Sequence, residues 1–207
     1  MPDESKLTPN GPFSWVIGFD LIFGLRLYFP RRGYLADGVS WARAALERAP
    51  AGSAARARLL LCLGGLENAR GNYAIALDYV RPAPAGLKDL RLERHLALAL
   101  NEEVSILLFL RRYAESEPLI ERALRLSRRS GDVRNEGVLL SNRAYLLSAL
   151  GRPGAFETYA LALRCVEEAG AETQIAAITN CIAAHDFMAG RYDAARRSLE
   201  RALTIRR

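Results

Sequence analysis

The sequence predicts an all-α array of stacked helical hairpins, and three observations predict it. The apolar half of the composition leans on Ala and Leu, aromatics are only 8%, and β-branched residues are thin. Ala and Leu lose little rotamer freedom in a helix, whereas strands favour β-branched and aromatic side chains. Ala45, Ala83, Ala123, Ala162 and Ala202 stand 38, 40, 39 and 40 residues apart. A near-constant period of about 39 means a repeated supersecondary unit rather than one globule. Finally, Gly71-Asn72-Tyr73 and Gly190-Arg191-Tyr192 each open a helical pattern with Ala three residues after the Tyr, and Arg111-Arg112-Tyr113 holds the same place. This composition excludes an all-β sandwich, a collagen-like chain and a disordered tail.

Residues 1–12 are polar with three prolines and read as a loose arm. Helix pairs follow at 13–29 with 35–49, 54–70 with 73–82, 88–110 with 113–129, 134–150 with 154–168, and 173–189 with 192–206. In the first, Trp15, Phe19, Ile22 and Phe23 recur at helical spacing, and Gly33 marks the turn. In the second, Pro82 and Pro84 remove backbone donors and should end or kink the helix early. The break at 82–87 reads either as a hinge or as a plain connector. Ala-Leu recurs at 45–46, 123–124, 162–163 and 202–203, with Pro84 replacing Leu in the second unit. The fourth unit fits only with one residue missing in its turn.

These units resemble the tetratricopeptide repeat (TPR), a helix–turn–helix with Gly-x-Tyr at the turn and small residues at fixed points. The second unit carries Leu60, Leu63, Gly64, Gly71, Tyr73, Ala76 and Ala83; the fifth carries Ile182, Ala183, Gly190, Tyr192, Ala195 and Ala202. Pro50 in the first matches the pattern's terminal proline. The resemblance implies a right-handed α-solenoid of about five TPR-like repeats, at about 13–52, 53–86, 87–131, 132–170 and 171–207. Small residues allow close helix approach, so Gly64 and Ala144 should face Ala76 and Ala155, with Tyr73, Tyr113 and Tyr192 as plugs. The period exceeds the usual ~34 residues of the repeat. It resembles the longer repeats of LuxR-type and maltose-regulator-type bacterial regulators.

The resemblance also implies a partner surface, because the first helix of each pair lines a concave groove that holds a protein or peptide. The matching positions with polar or aromatic side chains are Arg58 and Asn68; Asn101, Ser105 and Phe109; Ser141, Tyr145 and Ser148; and Asn180 and Phe187. Asn101 and Asn180 either meet a peptide backbone, for which an amide supplies both donor and acceptor, or satisfy neighbouring helices. A clamp for a chaperone tail's carboxylate is not expected. Asn142 matches one clamp position, but Leu61, Gly65, Ser141, Tyr145, Asn180 and Ala184 supply no cation for charge-assisted bonds.

No enzyme chemistry, cofactor or metal is expected. The phosphate-cradling G-x-x-x-x-G-K-[ST] is absent, and Cys62, Cys165 and Cys181 have no zinc-ligand spacing. His95 and His185 are isolated. Glu102-Glu103 and Glu167-Glu168 are adjacent on helices, so the members of each pair point apart. The net charge of +6 comes with scattered Arg pairs, not the clustered stripe of a nucleic-acid footprint. Residues 13–29 are short for a membrane span and carry Asp20 and Arg26. They do not read as a secretory signal, since Asp3 and Glu4 spoil a basic n-region and no small-x-small cleavage site follows. A cytoplasmic, non-catalytic interaction or scaffold module of a bacterial signalling or transcriptional regulator is expected. The alternative is a ligand- or peptide-sensing array that changes superhelical shape. The apolar end helices suggest a homo-oligomer or an adjoining domain. Ala76→Glu or Ala195→Glu should cost several kcal/mol through overpacking and an unpaired buried charge, read as a lowered thermal midpoint.

Overall fold

The computed structural model describes residues 21–22, 24, 28–87 and 93–206. The expected arm at 1–12, most of the first helix and the start of the helix at 88 lie outside the described residues. All regular structure among the described residues is helical: α1 (Tyr28–Arg32), α2 (Leu35–Arg48), α3 (Ala54–Ala69), α4 (Tyr73–Val80), a 3₁₀ segment (Ala83–Leu87), α5 (Glu93–Phe109), α6 (Tyr113–Arg129), α7 (Val133–Ala149), α8 (Ala155–Glu168), α9 (Glu172–Met188) and α10 (Tyr192–Arg206). Two compact units result, one ending at Leu110 and the other starting at Arg111.

In the first unit, α3 and α4 form a hairpin, with α2 against α3 and α5 against both members. Phe29, Val39, Ala42, Cys62, Leu63 and Leu66 make one buried cluster, joined by half-buried Leu35, Leu46 and Tyr79. Gly38 is needed there, because a Cβ would lie 2.7 Å from the Phe29 ring. α1 runs through Arg32, past the expected end at residue 29. α4 stops at Val80, as the prolines require, and the 3₁₀ segment then buries Ala83 and Leu87.

The second unit packs α6 on α7, pairs α7 with α8 and α9 with α10, and sets α9 against α8 and alongside α7. The helices are paired within each unit, which gives a repeat arrangement of TPR-like hairpins. Asn135 Nδ2 donates to Ser127 Oγ at 2.8 Å, and Asp132 caps α7 by accepting from Asn135 N at 3.1 Å. This buried network joins the end of α6 to the start of α7.

One closure ends α3, α6, α7, α8 and α9. The backbone N–H of Asn72, Asp132, Arg152, Ala171 and Arg191 donates back five residues to the carbonyls of Glu67, Ser127, Leu147, Val166 and Asp186. The residue before each donor is a glycine at positive φ, the αL cap that frees a helix end from steric cost. Arg111 takes that place at φ 57, the one non-glycine with positive φ among the described residues.

The paired helices approach most closely at two glycines. A Cβ on Gly64 would meet Val80 Cγ2 at 2.2 Å and the Ala76 carbonyl at 3.3 Å, so Gly64 does face Ala76 as expected. A Cβ on Gly137 would lie 2.7 Å from Val166 Cγ1 and 2.9 Å from the Ala162 carbonyl. Gly65 differs, since its nearest neighbour is Glu102 Oε2 at 3.9 Å. Ala within a helix gains about 0.5–1 kcal/mol over Gly, whereas overpacking costs about 1–3 kcal/mol. Gly65→Ala should therefore raise the denaturant midpoint, and Gly137→Ala should lower it, with a loss of about 1 kcal/mol in stability, because a backbone carbonyl cannot move aside. Equal responses would contradict the close approach.

Candidate partner-binding surfaces

The first helices of the pairs lie side by side within each unit, α3 beside α5 and α7 beside α9. Each unit therefore brings its own candidates together.

In the first unit, Arg58 and Asn68 are half-buried on α3. Asn68 Oδ1 is buried with no hydrogen-bond donor among the described residues. Asn101 on α5 is buried, and its carbonyl accepts from Ser105 Oγ at 3.0 Å. Phe109, 63% exposed, stacks on Tyr73 with centroids 5.1 Å apart and planes 10° from parallel. The helix end thus offers a fixed aromatic platform.

In the second unit, Tyr145 stands on α7 with 43% of its surface exposed, its hydroxyl bonded to Tyr113. Ser141, one turn earlier, is buried and hydrogen-bonds Cys181 on α9. Ser148, about one turn later, lies 3.1 Å from His185 Nδ1, and the His185 ring sits 5.9 Å from buried Tyr159. Asn180 is half-buried on α9, next to Cys181. Phe187 belongs elsewhere: it is exposed at the end of α9 and packs edge-on against Tyr192 at 5.4 Å. Tyr192 is itself exposed rather than a plug.

Cys181, His185, Tyr113 and Tyr159 are not among the groove positions that the sequence predicts. Their signal was faint: Ser141, Tyr145 and Ser148 on one helix match Cys181 and His185 on the next only once the offset between helices is known.

Burial sets the chemistry of this cluster. It pushes the Tyr145 and Tyr159 hydroxyls above their ordinary 10.0, helped by Tyr113 for the first and by Cys181 and Tyr145 for the second. It likewise raises the Cys181 thiol, with the Ser141 hydrogen bond opposing, and the Cys165 thiol, where Glu136 and Glu168 add to the rise. These groups are neutral near pH 7, so Cys181 carries little thiolate, the form that attacks. Ser148 and His185 are within hydrogen-bond reach, but no carboxylate among the described residues hydrogen-bonds His185. Nucleophile activation needs that third, orienting group. No three His, Cys, Asp or Glu among the described residues could hold a metal ion. No described helix is long and apolar enough to cross a membrane. The cluster is polar and aromatic, with Tyr145 exposed above buried Ser141.

This architecture is a TPR-like helical repeat. In fold, the chain is similar to BtubC (BKLC) from P. vanneervenii, at a TM-score of 0.71 and 18% identity over 98% of this chain and 85% of that one. It is also similar to a Rap protein complexed with competence and sporulation factor, at 0.79 and 15% over 98% of this chain and 56% of that one. A third is the putative kinesin light chain from Podosopora anserina with nearly identical TPR-like repeats, at 0.63 and 15% over 100% and 97%. No protein-family model matches the chain, and no curated protein matches it in sequence.

The raised hydroxyls and thiols give stability a defined pH dependence. Each group is neutral when protonated, and burial lifts its pKa in the folded state above the unfolded 9.0 or 10.0. Protons therefore leave the unfolded chain first, so the stability is complete below the unfolded values and is lost as pH rises through the folded ones. The urea midpoint should fall between pH 9 and 11, taken about the ordinary thiol and phenol values. Tyr159→Phe should flatten that fall, and an unchanged slope would count against Tyr159.

Proposed function

We propose that the chain is a non-catalytic protein–protein interaction module, a right-handed solenoid of about five repeats over residues 13–207. Its first-helix faces take a protein or peptide segment, with Arg58, Asn68, Ser105 and Phe109 over buried Asn101 on one unit, and Tyr145 and Asn180 over buried Ser141, with Phe187 at the end of α9, on the other. The observation that carries this reading is Tyr145. Its ring is nearly half exposed while its hydroxyl is held by Tyr113. A pre-oriented aromatic loses little entropy on contact, which is why tyrosine anchors binding surfaces. Its neutral neighbours Tyr113 and Cys181 suit a peptide backbone, and Arg111 adds one positive charge beside them.

The narrower reading is the regulatory region of a cytoplasmic bacterial signalling or transcriptional regulator. The long period, similar to that of LuxR-type and maltose-regulator-type repeats, supports it. A second reading is a peptide sensor that changes superhelical shape on binding. It draws support from the fold likeness to a Rap protein whose structure includes competence and sporulation factor.

Selection of short random peptides displayed on phage against the intact chain tests both. Enriched peptides should bind with micromolar affinity, and Tyr145→Ala combined with Asn180→Ala should weaken them about tenfold or more, roughly 1.4 kcal/mol. Peptides that bind the double variant equally well would place recognition elsewhere. A change in the radius of gyration on binding, read by small-angle scattering, favours the sensor reading; a constant radius favours the scaffold.

A further inference from the structure

The outer face of α10 breaks a pattern that the second unit otherwise keeps. Ile120 and Leu124 on α6 are buried, and at the matching place on α8 Tyr159 is buried and Leu163 half-buried. Each pair lies under the first helix of the next hairpin, α7 on α6 and α9 on α8. The matching residues of α10 are Leu199 and Leu203, which are 48% and 60% exposed. At about 100° per residue, Tyr192, Leu199 and Leu203 fall within about 40° of one another on that helix. The face is shaped like a stacking surface and is bare among the described residues.

The charges beside it say what would fit. On α6, Glu117 pairs with Arg152 at 2.6 Å and Glu121 with Arg143 at 3.3 Å. Arg143 lies on the covering helix α7 and Arg152 in the turn that ends it. On α8, Phe156 replaces Glu117, and the next turn's Arg191 lies over its ring at 5.8 Å. An arginine in the following turn thus covers this position twice. On α10 the same position is Arg196, while Glu200 keeps the place of Glu121. Neither Arg196 nor Glu200 has an ion-pair partner among the described residues. An arginine-bearing turn would meet Arg196 as a like charge. The chain's own turns offer Tyr34, Asn72, Arg112, Arg152 and Arg191 at this place, and none is an acid. A second copy stacked in this manner therefore brings no acid to pair with Arg196.

We infer that this face docks an amphipathic helix of a different polypeptide. That helix lies on α10 as α7 lies on α6, with an aliphatic stripe on Leu199 and Leu203, a basic residue opposite Glu200, and an acid in its C-terminal turn opposite Arg196. Charge complementarity of this kind selects partners more than it adds raw affinity.

The probe is a synthetic peptide of residues 132–153 carrying Arg152→Glu, which keeps Arg143 for Glu200 and presents an acid to Arg196. Titrated into the full chain by fluorescence anisotropy, it should bind at least about tenfold more tightly than the parent Arg152 peptide, a difference of roughly 1.4 kcal/mol. Arg196→Glu should reverse that preference, Leu203→Asp should abolish binding of both peptides, and Tyr145→Ala should leave it intact. Absence of binding, or a preference that Arg196→Glu does not reverse, overturns the inference. So does a sedimentation mass of two chains that returns to one with Leu203→Asp, because a second copy would then be the occupant.

Discussion

Where Gly64 meets Val80, and Gly137 meets Ala162 and Val166, paired helices come closer than any side chain allows. The remaining packing depends on that approach. Dispersion attraction falls steeply with separation, so a gap of even half an ångström forfeits a sizeable part of each contact. With the backbones this near, Leu59, Leu63, Leu107 and Leu139 become fully buried. The small residues recur at the repeat period: Ala57, Ala97, Gly137 and Ala176 on first helices, and Ala83, Ala123, Ala162 and Ala202 in the second members, all buried. The low aromatic and high alanine content follows from the same cause, since bulk at these places would force the helices apart.

Close pairing would be lost if the turns varied, and the uniform αL closure prevents this. It puts one residue, Asn72, Arg152 or Arg191, in the same position after the cap each time. The chain then uses that residue as a clasp. Asn72 Nδ2 donates to fully buried Glu67 at 2.7 Å, with Arg43 adding a bond at 3.0 Å from α2. Arg191 reaches back to buried Asp186 at 2.8 Å, and Arg152 reaches sideways to Glu117. Removing one partner of such a buried carboxylate leaves a costly unpaired charge, so turn geometry and buried polar pairing reinforce each other. Arg111 departs from the rule, and an αL conformation costs a residue with a Cβ about 1–2 kcal/mol.

The helical hairpins and most of their ends were legible in the sequence because they rest on local rules. A turn glycine every 39 or so residues, alternating with apolar helical stretches, marks α2, α3 and α6 to α10 to within a residue or two, and Pro82 with Pro84 marks the early stop of α4. The candidate surfaces were less legible, because they depend on how far one helix slides along the next. Periodicity puts Ser141 and Tyr145 on α7 and Asn180 on α9, yet the offset makes Cys181 and His185 their neighbours. The same offset buries Asn101 and Ser141, which their helix positions alone leave facing outward. Tyr192 shows the converse case: it occupies the plug position by sequence, but a plug also needs a helix to close against, and none covers it among the described residues.

Arginine content, the most conspicuous bias in the composition, has a local explanation in this geometry. Glu67, Glu103, Glu117, Glu121, Glu136 and Glu167 each pair with an arginine of a neighbouring helix or turn. Most of these pairs are half exposed, so each adds a few tenths of a kcal/mol to stability rather than several. Their effect is on order. A hairpin stacked out of turn would bring arginine against arginine, a repulsion that the apolar faces alone, built from interchangeable Ala and Leu, would not register. Apolar packing holds the array together without distinguishing one hairpin from the next, and the charged clasps supply that distinction. The net charge of +6 therefore reflects arginines distributed along the helix junctions more than a single basic surface.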